Sequence, residues 1–92
     1  MEVQEAIKSD GSVIRVGDEV EAKTMFGYFR KCEGVVFIVE RIQDLPGYCK
    51  TGYLVVAHVK DQPERKLLGF KKEGREFPDG LDADWFVKIN VT

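Results

Sequence analysis

The most regular alternation of apolar and polar residues lies at the end of the chain, in residues 85–92. One set of alternate positions, which the pattern places inward, consists of Trp85, Val87, Ile89 and Val91. A period of two residues is expected of a strand with one buried face. The pattern therefore predicts a last strand whose inward face begins at Trp85, and it favours a core position for Trp85 over a ligand platform.

The same criterion predicts strands earlier in the chain. Val20, Ala22 and Thr24 alternate with charged residues, which indicates a half-buried strand. Residues 34–43 are nearly all apolar or β-branched, and their first half is apolar on both faces, as expected of a bent central strand. Two more strands are predicted, at Thr51–Lys60 and Arg65–Phe70.

Turn-forming segments separate these strands. Asp10-Gly11 predicts a hairpin of Val3–Ile7 with Val13–Val16, because a type I′ turn needs positive φ at both central residues. The alternative for the first of these stretches is a short frayed helix. Pro46 and Gly47 suit the second and third positions of a β-turn.

Two connections near the C-terminus complete the pattern. Asp61–Glu64 predicts a turn that leads into the strand at Arg65. Residues 78–84 predict a single helical or 3₁₀ turn, capped by an aspartate, directly before the last strand.

These segments predict an all-β fold in one domain that comprises residues 1–92. We expect a small SH3-like, partly open barrel of about five or six antiparallel strands. An N-terminal β-hairpin extends the barrel in this prediction, and a short 3₁₀ turn precedes the last strand.

Charge and cysteine content limit the partners and the cellular compartment that we expect. The 14 basic and 16 acidic residues give a formal net charge of −2, so no global basic field attracts nucleic acid. Residues 1–6 lack the basic and apolar regions of a secretion signal, and no apolar run is long enough to span a bilayer. We expect a cytoplasmic protein without membrane contact, with Cys32 and Cys49 reduced; a Cys32–Cys49 disulfide is the alternative.

One stretch resembles known small barrels. Val16-Gly17-Asp18-Glu19-Val20, followed after a variable segment by Gly34-Val35-Val36, is similar to the start of the KOW motif and of Tudor- and Agenet-type barrels. The resemblance covers residues 16–39 and implies an SH3-like barrel. KOW members tend to be basic and to contact RNA, and this acidic chain departs from that pattern. Tudor-type members use an aromatic cage, and the sequence assigns no cage.

The loop between the two halves of this resemblance is the main candidate site. It carries three aromatic residues that run directly into two cations: Phe26, Tyr28, Phe29, Arg30 and Lys31. Bases stack on exposed aromatics, and each stacked base contributes ~1–3 kcal/mol, while aromatic and Arg side chains also anchor protein interfaces. Tyr48 and Lys50 would extend the site if the two loops lie on one side. The alternative is that Phe26 and Phe29 cover the barrel as a lid.

A basic run and an acidic run follow one another towards the C-terminus. Residues 65–75 carry a net charge of +4, from Glu73 and the basic residues Arg65, Lys66, Lys71, Lys72 and Arg75. Residues 76–84 contain four acids and no base. The basic run is a candidate for phosphate contacts. The interpretation that we favour is that the two runs neutralise each other on the surface and that the acids form a solvated loop with a helix cap; an acidic patch that meets a basic partner is a further alternative.

Catalytic signatures are missing from the sequence. His58 is the single histidine, the only serines are Ser9 and Ser12 on the hairpin turn, and no phosphate-binding loop, CxxC or HExxH occurs. We therefore predict no catalytic residue, no cofactor and no metal site.

The sequence favours a non-catalytic binding module. The first hypothesis is protein–protein interaction or assembly, including self-association, through the loop Phe26–Lys31 and exposed sheet edges. The alternative is binding of RNA or single-stranded DNA through the same loop and the 65–75 basic run.

Overall fold

The computed structural model describes residues 1–22, 34–67 and 80–89 of the chain. All the described strand pairs are antiparallel. The described strands are β1 (Glu2–Val3), β2 (Glu5–Ile7), β3 (Val13–Arg15), β4 (Glu19–Ala22), β5 (Phe37–Asp44), β6 (Tyr53–Val59), β7 (Gln62–Leu67), β8 (Leu81–Asp82) and β9 (Phe86–Lys88). A 3₁₀ turn, Ala83–Trp85, separates β8 from β9. The described residues thus confirm an all-β fold with a 3₁₀ turn before the last strand.

The main sheet has the strand order β7-β6-β5-β4-β9. Two short strands extend it: β1 pairs with the end of β5, and β8 pairs with the start of β6. Strands β2 and β3 form a separate hairpin, in which Ala6 is the direct partner of Ile14. The predicted N-terminal hairpin is therefore confirmed, and the helical alternative for its first stretch is wrong.

The hairpin turn differs from the predicted type. The Gly11 N–H donates to the Lys8 carbonyl at 2.9 Å, so Ser9 and Asp10 are the central residues of the turn. Gly11 follows them at φ 86°, and the Lys8 N–H donates to the Ser12 carbonyl at 2.8 Å. This is the pattern of a three-residue hairpin loop, in which one glycine takes the left-handed conformation.

Alternate residues of the main sheet form the core. The buried side chains that pack together come from β4, β5, β6 and β9: Val20, Ala22, Phe37, Val39, Ile42, Val55, Ala57 and Phe86. The hairpin adds Ala6 and Ile14 to the same cluster. Burial of each Val, Ile or Phe side chain contributes ~1.5–3 kcal/mol, so the N-terminal hairpin is an integral part of the fold.

An irregularity in β5 explains how both of its halves are buried. Val39 and Ile42 are both almost inaccessible, although a spacing of three residues would place them on opposite faces of a regular strand. The pairing with β6 shifts register between Val39 and Arg41, which leaves Glu40 as an extra residue. Such a bulge bends a strand and changes the face that the following side chains occupy. The predicted central position of this strand is confirmed, but the strand begins at Phe37 and not at residue 34.

The last strand has the opposite register to the predicted one. Trp85 belongs to the 3₁₀ turn, and the strand begins at Phe86, which is 0% exposed, whereas Val87 is 45% exposed. A shift of one residue at the start of a strand exchanges its two faces. The inward set predicted from Trp85 and Val87 is therefore wrong. Trp85 itself is partly buried against the core, as expected.

Strand β7 begins earlier than predicted. The turn lies at Lys60 and Asp61, and Gln62 already pairs with Val59. The predicted turn at Asp61–Glu64 is therefore wrong, because Pro63 lies within the strand. Proline has no N–H to donate, which an edge strand tolerates.

The connection from β8 to β9 brings the two sides of the sheet together. Strand β8 pairs on the free side of β6, strand β9 pairs on the free side of β4, and only Ala83–Trp85 lie between them. A 3₁₀ turn rises ~2 Å per residue, so this link spans roughly 6 Å. The sheet is consequently strongly curled. Within the described ranges, no hydrogen-bonded strand pair closes it into a barrel.

None of the helical structure in the described ranges is long and apolar enough to cross a membrane.

Candidate functional site

The predicted site residues divide into two groups. Tyr48, Lys50, Arg65 and Lys66 lie within the described residues. The others lie outside them and keep the standing of predictions: Phe26, Tyr28, Phe29, Arg30, Lys31, Lys71, Lys72 and Arg75.

Tyr48 is presented by a short loop with an internally bonded backbone. Its N–H donates to the Leu45 carbonyl at 3.0 Å, and Gly47 takes φ 80° in the third position of that turn. The Leu45 N–H in turn donates to the Gly52 carbonyl at 2.7 Å, which closes the base of the loop. The predicted turn at Pro46 and Gly47 is confirmed. The Tyr48 side chain is 51% exposed and is therefore available for contact.

The two loops of the predicted site leave the sheet at different ends of β5. Residues 22 and 34 flank the aromatic loop, near the start of β5, where Phe37 pairs with Val20. Tyr48 follows the other end, where Asp44 pairs with Tyr53. Eight strand residues extend over roughly 25 Å. A surface shared by Tyr48 and the side chains of residues 26–31 stays a prediction, because those side chains lie outside the described residues.

Lys50 takes part in a contact that links three distant segments. The Ser9 N–H donates to Asp84 Oδ1 at 2.9 Å, and the Ser9 hydroxyl donates to Asp84 Oδ2 at 2.5 Å. The Lys50 ammonium lies 3.8 Å from the same Oδ2 atom. We call this set of contacts the Ser9–Asp84 clasp. It holds the tip of the N-terminal hairpin against the 3₁₀ turn.

Asp82, the other described aspartate of this turn, also has a structural role. Its Oδ1 accepts hydrogen bonds from the Thr51 hydroxyl at 2.7 Å and from the Asp84 N–H at 3.2 Å. The second of these bonds caps the 3₁₀ turn, as predicted. The two aspartates thus connect the turn to the hairpin and to the loop before β6, and neither is merely part of a solvated acidic loop.

Lys66 belongs to a charged row on the outside of the sheet. Its ammonium lies 3.0 Å from Glu40 Oε2, and His58 Nδ1 lies 3.3 Å from Glu40 Oε1. Among the described residues His58 Nδ1 has no hydrogen-bond partner, so its contact with Glu40 is electrostatic. The hydrogen bond and the charge of Lys66, with a smaller effect of His58, lower the pKa of Glu40. His58 is therefore a strand residue in an ion-pair row.

Most cations in the described part of the chain already have an acidic neighbour. Of the eight described Lys and Arg residues, seven lie within 4.0 Å of a carboxylate. The pairs are Lys8–Asp10, Arg15–Glu5, Arg41–Glu2, Lys50–Asp84, Lys60–Glu19, Lys66–Glu40 and Lys88–Asp18. Arg65 instead donates to Gln62 Oε1 at 3.1 Å. Exposed pairs add little stability, but they reduce the positive potential available to an anionic ligand.

The remaining charge is unevenly distributed along the sequence. The described ranges contain 12 acidic and 8 basic residues, a net charge of −4. Residues 23–33 carry +2, from Lys23, Arg30, Lys31 and Glu33, and residues 68–79 are neutral. The segment that contains the aromatic loop is thus basic, whereas the described ranges taken together are acidic.

The described residues offer little for metal or thiol chemistry. No group of three or more His, Cys, Asp or Glu residues among them could hold a metal ion. The Cys49 thiol donates to the Tyr53 carbonyl at 3.5 Å. Cys32 lies outside the described residues, so the alternative of a disulfide is untested.

Sequence reasoning did not identify the clasp or the Glu40–Lys66 pair. Ser9 and Asp84 are 75 positions apart, and no local pattern connects them. Glu40 meets Lys66 because a bulge in β5 and an irregular β7 set the register, and neither feature has a signature in the sequence.

In comparisons with known proteins, no family model, no curated protein and no solved structure matches this chain.

Proposed function

We propose that this protein is a non-catalytic, cytoplasmic binding module with an SH3-like fold that engages another protein. The strand order supports the SH3-like arrangement, because β4 to β7 form a meander and the chain returns through a 3₁₀ turn to pair β9 with β4. A fold of this kind does not define a ligand. The proposal for the partner therefore rests on the surface.

The pairing of cations with carboxylates favours a protein partner over nucleic acid. Binding to a phosphate backbone draws its affinity from Lys and Arg residues that release counterions. On the described surface, seven of eight such residues have a carboxylate within 4.0 Å that a phosphate would have to displace. A protein surface, which itself carries both signs of charge, can meet such a surface without this competition.

We assign the contact to the aromatic loop Phe26–Lys31 and to Tyr48. Protein interfaces are enriched in Tyr, Phe and Arg, and a few such residues supply most of the binding free energy. Tyr48 is half exposed on a loop whose backbone is internally bonded, so little conformational entropy would be lost when it binds.

The hydroxyl and carboxylate groups of the described part support a non-catalytic role. The Ser9 hydroxyl, the Thr51 hydroxyl and the Asp82 carboxylate each make hydrogen bonds that hold the framework together. A nucleophile needs a neighbouring base that activates it, and these groups serve as structural donors and acceptors instead.

A second candidate, binding of RNA or single-stranded DNA, is favoured by one feature. Residues 23–33 combine a net charge of +2 with three aromatic side chains on an otherwise acidic chain. Aromatic stacking next to cations is the usual means of binding single strands. In this candidate the basic run 65–75 supplies further phosphate contacts.

Cross-linking from position 48 tests the proposal. In one variant a photoreactive amino acid replaces Tyr48. In a second, control variant of the same chain it replaces Asp61, an exposed residue on the turn between β6 and β7. We expect a specific protein to be captured from position 48 and not from position 61. The purified partner should then bind the Tyr48→Ala variant at least ~10-fold more weakly, which corresponds to ~1.4 kcal/mol.

The nucleic-acid candidate is tested in parallel by amide-resonance titration with short mixed-sequence RNA and DNA. Shifts confined to Tyr28–Lys31 and Arg65–Arg75 that fade with added salt would replace the protein proposal by the nucleic-acid one. An identical set of captured proteins from both cross-linking positions would also contradict the proposal.

A further inference from the structure

Among the described strands, β7 is an edge strand of the main sheet. It is the end strand in the described sheet order, and the side chains from Gln62 to Lys66 are exposed. Unpaired N–H and C=O groups along such an edge can pair with another strand. In any solution of the protein, the edge of one copy encounters the edges of other copies. The question is therefore whether β7 can pair with β7 of a second copy.

Symmetry restricts how two copies of β7 could pair. Two identical antiparallel edge strands are related by a two-fold axis perpendicular to the sheet. Directly opposed residues lie on the same face, and side chains alternate between faces. The axis must therefore pass beside one residue, which then lies opposite its own copy. Its neighbours pair at equal offsets on either side.

Each position of the axis on the exposed part of β7 is unfavourable. An axis at Glu64, Arg65 or Lys66 places two like charges directly opposite each other, which is destabilising. An axis at Pro63 places two residues without an N–H at the centre of the new ladder. An axis at Gln62 opposes the strand to the turn at Lys60 and Asp61, which cannot extend the ladder.

The pairing of β7 with β6 adds a further obstacle. Gln62 pairs with Val59, but the next partner of β6 is Lys66, opposite His58. Residues 63–65 therefore form a bulge that has no counterpart on β6. A bulge on an edge strand twists the backbone away from the geometry that a regular partner strand requires.

We propose that the exposed edge of β7 is closed to antiparallel pairing with a second copy of this chain. Three features produce the closure: the like charges that symmetry brings together, Pro63 and the bulge. Any self-association of the protein then uses another surface. The inference does not depend on whether the partner of the module is a protein or a nucleic acid.

Removal of Pro63 and of the charges at positions 64 and 65 tests the proposal. The triple variant Pro63→Thr, Glu64→Thr and Arg65→Thr keeps the net charge. It restores the backbone N–H that Pro63 lacks and raises the β propensity of the strand. We expect the mass of this variant, measured by sedimentation, to rise with concentration towards that of a dimer. The amides at position 65 and at Lys66 should become protected from hydrogen exchange. The control variant Glu5→Thr with Arg15→Thr removes one exposed ion pair elsewhere and should leave the mass unchanged.

The wild-type protein supplies a measurement that does not depend on the variant folding. Its amides at Arg65 and Lys66 should exchange at the same rate at low and high protein concentration, even if its mass rises through another surface. Concentration-dependent protection of these amides would overturn the proposal. A triple variant that keeps the exchange protection of Val55 and Ala57 in β6 but stays strictly monomeric would overturn the roles assigned to Pro63 and to the opposed charges.

Discussion

The Ser9–Asp84 clasp should stabilise the whole fold, because it joins the first hairpin to the last turn. The Ser9→Ala substitution removes the 2.5 Å hydrogen bond to Asp84 Oδ2 and keeps the backbone bond to Oδ1. Hydrogen bonds to charged groups contribute ~1.5–3 kcal/mol, and exposure of this one lowers the expected loss to ~1 kcal/mol. For a domain of this size the melting temperature should fall by ~4–8 °C.

Ser12 on the same turn provides a matched control. Its hydroxyl donates only locally, to Asp10 Oδ1 at 2.5 Å, and its N–H donates to the same atom at 2.8 Å. Ser12→Ala therefore removes one hydroxyl that is also exposed, without separating two segments. We expect it to lower the free energy of unfolding by less than ~0.5 kcal/mol.

Denaturant unfolding followed by the fluorescence of Trp85, the single tryptophan, measures both variants at the turn that the clasp holds. The slope m should stay constant, since neither substitution changes the surface exposed on unfolding. A double-mutant cycle of Ser9→Ala with Asp84→Asn should give a coupling of at least ~0.5 kcal/mol. Equal effects of Ser9→Ala and Ser12→Ala, or a coupling near zero, would refute the reasoning.

Three further predictions concern pH, close packing and strand register. Because its folded-state pKa lies below the ordinary 4.5, Glu40 contributes stability that is complete above pH 4.5 and is lost as the pH falls through the folded-state pKa, and Glu40→Gln should flatten this dependence in urea titrations. Gly80→Ala should destabilise by more than ~2 kcal/mol in the same assay, because φ is +135° and a new Cβ would lie 3.1 Å from the Val55 carbonyl oxygen. Phe86→Ala should cost ~3–5 kcal/mol and Val87→Ala less than ~0.5 kcal/mol.

Each of these predictions has its own control. Glu21→Gln, an exposed substitution on β4, should leave the pH dependence of the wild type in place, and an identical change in both variants would count against the Glu40 contact. Gly11→Ala should cost less than Gly80→Ala, because Gly11 has positive φ but no atom within 4 Å of a new Cβ. Equal losses of unfolding free energy for Phe86→Ala and Val87→Ala would contradict the register in which Phe86 points inward.

Patterns that depend on neighbouring residues predicted structure well. The alternation of Val20 and Ala22, the Pro46-Gly47 turn and the aspartate cap of the 3₁₀ turn are all determined within a few residues. The last strand shows where this approach fails. Its alternation was real, but the face that points inward depends on where the 3₁₀ turn ends, and that position is fixed by contacts of Asp82 and Asp84 with distant segments.

The candidate site was less predictable than the fold. Tyr48 could be proposed because an aromatic residue beside a Pro-Gly turn is visible in the sequence. The sequence did not predict how many of the cations would be paired with carboxylates. Pairs such as Lys60–Glu19 and Lys88–Asp18 join residues far apart in the chain, so they follow from strand order and register and not from composition.

The short link between β8 and β9 has a consequence for how the chain folds during synthesis. In the part of the chain that the structure describes, the outer partner of β4 is β9, so this pairing requires residues 86–88, whereas β5 and β6 can pair as soon as both have emerged. Contacts between residues so distant in sequence form late, because the loop that they close must be ordered first. On a translating ribosome the nascent protein should therefore carry an unprotected β4 edge until residue 88 is released. Pulse-labelled hydrogen exchange on stalled chains should find the amides of Val56 and His58, which face β5, protected before those of Glu19 and Glu21, which face β9, and simultaneous protection would contradict this order.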